Sequence, residues 1–412
     1  VKQIKDKLLS IPLIIIWLSH LVQVFVPETG FDALWYHLPV VKAMVENKGL
    51  VYLPNLYQSV NPLFADLYFA LGYLLIGDLG TKLVAYLFSL GLMFVSYLLA
   101  RKYLNKNWAV LLITLVSTFQ VVAWQSASFY VGLAKGFFEI SSLLFLFSFL
   151  FEGSLIVKDN NKEDNKFLLI SGLLFGASLA SKLFSIFLLP VYLFLVYIFS
   201  SDNKIRKTLY FLLSSLLLPL PFYLFAYFKT GHPFYSLIIH LEKLHEIGGN
   251  SNIFLYILDR SIKLPLSILE LFTTRDYVSF IFLIFLPIII YYHKRLFIKR
   301  NLFLLIFSVY QYLLWWYLPP QSSRYAVSGF IVLTILYFKI VSDFVVTKKQ
   351  FFWSVVLTIL LSIIINFAPR MIVNNRSFKY ILGNQTKQQY LEQFYDGSID
   401  QNIKEWHFDA TL

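Results

Sequence analysis

FLLISGLLFGASLASKLFSIFLLPVYLFLVYIFS, residues 167–200, carries a single charge, Lys182, in 34 residues. A helix needs about 20 mostly apolar residues to cross the hydrocarbon core of a bilayer. The stretch is too long for one crossing and too apolar for a soluble surface helix. A lysine inside lipid is costly, so the sequence predicts two spans, 167–184 and 185–200, broken at Ser181-Lys182. Working outward, nine further apolar runs read as spans: 9–26, 81–100, 108–123, 133–151, 208–227, 277–292, 302–317, 325–342 and 351–368. The expected fold is therefore an all-α polytopic membrane protein of about 11 transmembrane helices.

Composition agrees. The chain has 412 residues, 58% apolar and 14% charged, with a mean hydropathy of +0.67. Soluble domains carry about a quarter charged residues, so a soluble enzyme, a disordered chain and a secreted disulfide scaffold are excluded. With no cysteine, thiol catalysis, disulfides, iron–sulfur clusters and cysteine zinc sites are ruled out. The net charge of +12 does not point to nucleic acid, because the basic residues lie between apolar runs rather than in one stripe.

They report topology instead. With the N-terminus cytoplasmic, one side holds Lys2, Lys5 and Lys7, then Arg101, Lys102 and Lys106, then Lys158, Lys162 and Lys166, then Lys204, Arg206 and Lys207, then Lys294, Arg295, Lys299 and Arg300, and finally Lys348 and Lys349. The opposite side holds two long loops, 27–80 and 228–276, with sparser positives. This is the positive-inside pattern. The first span lacks a cleavage signature and reads as retained. The stretch 62–77 is short and carries Asp66, so it reads as an interfacial helix with Asp66 on its wet face. FDALWYHLPVVKAMVENKG, 31–49, reads as another helix lying flat on the membrane. Residues 1–370 form the transmembrane domain in this reading. The tail 371–412 lies outside the cytoplasm and is expected to begin a soluble outer domain. The inner connector DNNKEDNK, 159–166, is low-complexity.

Ionisable groups in or beside lipid are functional candidates by default. Asp32 follows the first span among Phe31, Trp35 and Tyr36. It reads either as a partly desolvated general base or as the N-cap of a helix beginning at Ala33. His37 lies about 140° further round that helix, so Asp32 and His37 make at most a two-ligand metal site. Lys182 either snorkels to the headgroups or holds an anionic phosphate as a point charge. Arg324, at the start of RYAVSGF, sits on the side that normally avoids positives and pairs well with phosphate oxygens. Lys135 and Glu139 are spaced i,i+4 and fit a simple ion pair. His232 lies in the turn TGHPFYS, 230–236, and reads as a loop histidine or a ligand.

Taken in order, FDALWYHLP, GLLFGASLASK, TGHPFY and RYAVSG resemble the polytopic GT-C glycosyltransferases, in particular the branch similar to dolichyl-phosphate-mannose–protein mannosyltransferases and aminoarabinose transferases. The likeness spans about residues 5–395. It implies that Asp32 is the catalytic acidic residue of the first outer loop. Gly176 to Lys182 resembles the Gly-rich segment ending in Thr-Lys, with Ser181 for Thr, and Thr230 to Pro233 resembles a Thr-Gly-Asn-Pro turn, with His232 for Asn. Arg324-Tyr325 resembles the Arg-Tyr pair that begins a late span, and LGNQTKQQYLEQFY resembles a segment after the last span. The resemblance implies a membrane glycosyltransferase that moves a sugar from a polyprenyl phosphate to an acceptor hydroxyl or amine outside the cytoplasm, at the cell membrane. In that reading Lys182 and Arg324 hold the donor phosphate. Tyr36, His37, Asp66, His232 and Tyr325 line the donor or acceptor site, and Glu139 is a candidate second acid. One departure stands out: relatives carry an acid in a Tyr-x-Asp-Leu turn, where this chain reads YVGL with Gly132. A lipid-linked sugar flippase or polymerase, or an inactive GT-C-like binding protein, are the competing classes. No P-loop or dinucleotide fingerprint is present, and a divalent cation as cofactor stays open.

Overall fold

The computed structural model describes residues 6–152, 165–239, 253–273, 277–318 and 322–393. Residues 240–252 and 274–276 of the loop 228–276, most of the 159–166 connector and the tail beyond 393 lie outside the described residues. Regular structure among the described residues is helical throughout. In chain order the helices are α1 (Asp6–Val22), α2 (Leu38–Glu46), α3 (Phe64–Arg101), α4 (Lys106–Ser117), α5 (Gln120–Gln125), α6 (Val131–Phe151), α7 (Lys166–Ser181), α8 (Leu189–Phe199), α9 (Lys204–Leu217), α10 (Leu220–Thr230), α11 (Ile253–Lys263), α12 (Ser267–Thr273), α13 (Ile281–Ile284), α14 (Leu286–Tyr291), α15 (Lys299–Tyr317), α16 (Val327–Thr347), α17 (Phe352–Ile381) and α18 (Lys387–Glu392).

Each of the eleven apolar runs falls on one or more of these helices. Four described helical segments are long and apolar enough to cross a membrane: Phe64–Arg101, Val131–Phe151, Val327–Thr347 and Lys349–Ile381. The pair α9 and α10, bent by 56°, makes a fifth. Length and composition thus support four to five of the eleven expected spans. The others lie on shorter helices or, for 302–317, on α15. The chain is a multi-pass membrane protein.

Two breaks position the site. Helix α7 ends at Ser181, and Lys182 adopts an extended backbone (φ −153°, ψ 124°) before a 3-10 segment, Leu183–Leu188. The break falls where the buried-lysine argument places it. Helix α3 is interrupted at Ile76-Gly77, where Gly77 has φ +61°. That left-handed backbone favours glycine. The chain folds back so sharply that a Cβ on Gly72 would lie 2.5 Å from the Gly80 carbonyl oxygen. Residues 64–75, read from the sequence as an interfacial helix, therefore form an arm separate from the run 78–101. Asp66 corrects that reading: it is buried, not wet.

The helices pack through small and polar residues, because lipid tails supply no hydrophobic drive between spans. Gly172 and Gly176 lie one turn apart on α7, facing α9. A Cβ on Gly176 would sit 2.6 Å from the Ser215 carbonyl. Ser142 of α6 and Ser171 of α7 donate to each other's carbonyls at 2.8 Å. On the other flank Gln23 donates to Asn374 and Ser377 of α17 at 2.6 and 2.7 Å. The glycines of the Gly-rich segment thus serve helix contact, and only its final lysine reaches the site described below. Gly176→Val forces a branched side chain into the Ser215 backbone, and overpacking of this kind costs about 1–3 kcal/mol. We expect a lowered unfolding midpoint in detergent, whereas Gly49→Val, which meets nothing within 4 Å, leaves the midpoint unchanged.

Candidate functional site

The loop after α1 is pinned before it reaches the site. The Glu28 carboxylate accepts from the Thr29 and Gly30 amides at 2.9 and 2.7 Å, from the Ser128 hydroxyl at 2.7 Å, and from the Phe129 amide at 3.3 Å. This ties residues 28–30 to the turn before α6. Lys82 donates to the Val26 carbonyl at 2.6 Å and anchors the same loop to α3. The following residues form a single wide turn, Ala33–His37, that runs into α2.

Asp32 begins that turn, but its side chain does not cap the helix. Its carboxylate meets Arg324 Nη1 at 2.6 Å, and the two side chains are 13% and 17% exposed. The Asp32 amide donates to the Tyr130 hydroxyl at 3.0 Å. Arg324 lies in a 3-10 turn, Ser323–Tyr325, just ahead of α16. Its guanidinium stands 5.6 Å from the Tyr130 ring and 5.2 Å from the Tyr325 ring. Its Nε is buried with no hydrogen-bond partner among the described residues.

Lys182 comes to the same tyrosine. Its Nζ lies 4.6 Å from the Tyr325 ring centroid, while Phe184 packs against that ring at 4.7 Å. Lys182 is half-buried, with its ammonium on the Tyr325 ring. It has no carboxylate partner among the described residues. Two cations therefore flank one tyrosine, with one carboxylate between them to balance the charge.

His37 turns away from Asp32. Its Nδ1 meets Asp66 at 2.6 Å, in a pair 3% and 1% exposed. Its Nε2 is buried without a partner among the described residues, which fits Nδ1 as the protonated nitrogen donating to the carboxylate. The Tyr36 and His37 rings are 4.1 Å apart. Burial, reinforced by the negative charge of Asp32, pushes the Tyr36 hydroxyl well above the ordinary phenol range. Burial and the same carboxylate raise Tyr130 as well. Both remain protonated, neutral hydrogen-bonding groups at physiological pH.

Two candidates lie elsewhere. His232 is exposed, and its Nδ1 accepts from the Phe234 amide at 3.1 Å, so within the described structure it closes its own turn. Glu139 is fully enclosed. It pairs with Lys135 at 2.9 Å, accepts from Ser178 at 3.1 Å and Ser185 at 3.4 Å, and forms a short hydrogen bond with Ser328. The i,i+4 pairing is as expected. At Gly132, a Cβ would collide with the Gln125 side-chain amide. The volume into which a carboxylate would project is occupied by Gln125. No cluster of three or more His, Asp or Glu side chains able to hold a metal occurs among the described residues.

Sequence reasoning missed Glu28, Tyr130, Gln125 and Gln311. Glu28, in an outer loop within reach of the first span, and Gln311, a lone amide in an apolar helix, both satisfy the rule that polar groups at membrane depth have a purpose.

The chain matches no known family profile and no curated protein sequence. Among solved structures it is similar to ArnT of Cupriavidus metallidurans, an aminoarabinose transferase. The apo state aligns with a TM-score of 0.54 and 15% identity over 81% of this chain and 59% of that one. The form bound to undecaprenyl phosphate aligns with 0.53 and 14% over the same shares. The archaeal oligosaccharyltransferase AglB of Archaeoglobus fulgidus, in complex with an inhibitory peptide and a dolichol-phosphate, aligns with 0.55 and 15% over 89% of this chain and 56% of that one. Both neighbours are GT-C glycosyltransferases, and this chain has the GT-C fold. It spans somewhat over half the length of these neighbours.

Asp66→Ala leaves His37 Nδ1 without an acceptor in a dry site. An unmade buried hydrogen bond costs about 1–3 kcal/mol. We expect a corresponding fall in the unfolding midpoint, larger than that of Asp259→Ala, whose pair with Lys263 is exposed.

Proposed function

We propose that the protein is a membrane glycosyltransferase that takes a sugar from a polyprenyl-phosphate donor and transfers it to an acceptor hydroxyl or amine on the non-cytoplasmic face. The observation that carries this reading is the group around Tyr325. Arg324 is bound to Asp32 yet keeps an unpartnered Nε, and Lys182 lies on the same ring without an acid of its own. With Lys182 protonated, Arg324 and Lys182 together carry one more positive charge than Asp32 and fit one further anion. The likeness to structures bound to undecaprenyl phosphate and dolichol-phosphate supports a phosphate on a lipid as that anion. Its prenyl chain would stay in the bilayer beside the spans.

In this mechanism Asp32 takes the proton from the acceptor as its oxygen or nitrogen attacks the anomeric carbon. The bond from that carbon to the phosphate oxygen breaks, and one displacement inverts the centre. Arg324 and Lys182 stabilise the charge that grows on the departing phosphate. Tyr36, Tyr325 and the Asp66–His37 pair line the site. The enclosed Glu139 is no longer favoured as a second acid, because every neighbour in its hydrogen-bond shell is already committed. Gly132 removes another carboxylate, so Asp32 acts alone.

Asp32→Asn should abolish transfer from a polyprenyl-phosphate sugar while retaining or strengthening binding of undecaprenyl phosphate, since the carboxylate competes with phosphate for Arg324. Transfer at the wild-type rate by this variant would remove Asp32 as the base. Arg324→Ala and Lys182→Ala should each weaken binding of undecaprenyl phosphate about tenfold or more, as for a lost charge-assisted hydrogen bond; unchanged affinity in both rejects the phosphate site. Orientation is tested separately, because the native chain has no cysteine. Glu46→Cys should react with an impermeant maleimide from outside intact cells, and Lys106→Cys only after the membrane is opened.

A further inference from the structure

The turn that presents Arg324 and Tyr325 is not held by its own helix. In a continued α16, the Gly329 amide would return to the Tyr325 carbonyl, four residues back. Instead the Gly329 amide donates to Gln311 Oε1 of α15 at 3.1 Å. The Tyr325 carbonyl accepts from Lys135 Nζ of α6 at 3.0 Å. Gln311 Nε2 donates to the Ser328 hydroxyl at 2.8 Å, and Ser328 donates to Glu139. Glu139 is paired with Lys135, and its own carbonyl accepts from the Tyr192 hydroxyl of α8 at 2.8 Å. The loop of contacts Lys135, Glu139, Ser328, Gln311 closes around the first turn of α16.

We infer that Lys135 and Glu139, with Gln311, are positioning residues that hold the Arg324-Tyr325 turn out of the helix and so aim both side chains into the site. Three features support this over a purely adhesive ion pair. The pair is 1% and 0% exposed, and a buried ion pair contributes little net stability compared with apolar residues of the same volume. Its lysine spends a hydrogen bond on a backbone carbonyl next to Arg324, not on another acid. Gly329 is also constrained: a Cβ there would press on the Gln311 side chain, so the glycine is what lets Gln311 reach the amide. The network joins α6, α7, α8, α15 and α16 through side chains, and the turn is its one edge that faces the site. The effect on ligand affinity rests on the phosphate reading above; the control of the turn does not.

The test uses the full chain in detergent micelles. Lys135→Met with Glu139→Gln removes both charges at similar volume, so no lone charge stays buried. Amide hydrogen exchange over 323–329, the unfolding midpoint and the affinity for undecaprenyl phosphate are measured together. We expect faster exchange in this segment, a midpoint close to wild type and about tenfold weaker binding, the size of one lost charge-assisted hydrogen bond. Wild-type exchange in a folded double variant overturns the inference. Should the double variant not fold, Gln311→Ala decides by the exchange of residues 323–326 alone: acceleration supports the inference and wild-type protection overturns it. If the wild-type protein itself binds no undecaprenyl phosphate, the functional proposal fails while exchange still decides this one.

Discussion

Asp32 and Arg324 are 292 positions apart in the chain and meet at 2.6 Å. Their contact requires the loop after α1 to lie across the start of α16, and several polar contacts hold it there. Glu28 collects four donors and fixes the loop to the turn before α6. Tyr130, from that turn, accepts from the Asp32 amide and stands over the Arg324 guanidinium. Lys135 holds the backbone beside Arg324. Each partner in the ion pair is therefore fixed by a second set of contacts, as placing charged groups at a membrane boundary demands. Misplacing one of two partly buried charges leaves the other uncompensated, at a cost of several kcal/mol.

The parts of this arrangement that follow from local physics were legible in the sequence. Apolar runs gave helices, and a lysine in the middle of 167–200 gave the break at Ser181. The Gly77 reversal agrees with a short arm separate from the run 78–101. The i,i+4 spacing of Lys135 and Glu139 gave their pair. What was not legible depends on which distant element lies opposite. Asp66 looked wet because a short helix with one acid reads as amphipathic. Its partner His37 is 29 residues away on another element, and no periodicity announces that meeting. Asp32 satisfied the N-cap pattern, but its side chain makes no cap, and its partner Arg324 comes from the far end of the chain, which no local pattern announces. Gln125 and Gln311 carry no pattern at all; each is a single amide whose role appears when the Gly132 or Gly329 surface is set against it.

Gly132 shows why a missing residue and a missing function differ. Had the acid simply been deleted, its volume would be left to solvent or to apolar neighbours. Here the Gln125 amide fills it, with Nε2 directed to the Val121 carbonyl of its own helix at 3.2 Å. The polarity at this wall is thus retained while its charge is removed.

Charge balance then links the proposed chemistry to the residues that surround it. Asp32 contributes one negative charge, and Arg324 and Lys182 one positive charge each. A sugar on a polyprenyl phosphate is a phosphodiester with one negative charge, so the loaded site is neutral. When the acceptor is deprotonated, its proton neutralises Asp32. The departing phosphate becomes a monoester with a charge near −2 at neutral pH, and the two cations balance it. The total is the same before and after, although one unit of charge has moved from the carboxylate to the phosphate. In a partly buried site flanked by Tyr36, Tyr130, Tyr325 and Phe184, where the dielectric is lower than in water, net charge is expensive. A transfer that shifts charge within the site without changing its sum avoids that cost. The Lys135–Glu139 pair, self-balanced behind the site, leaves the sum undisturbed.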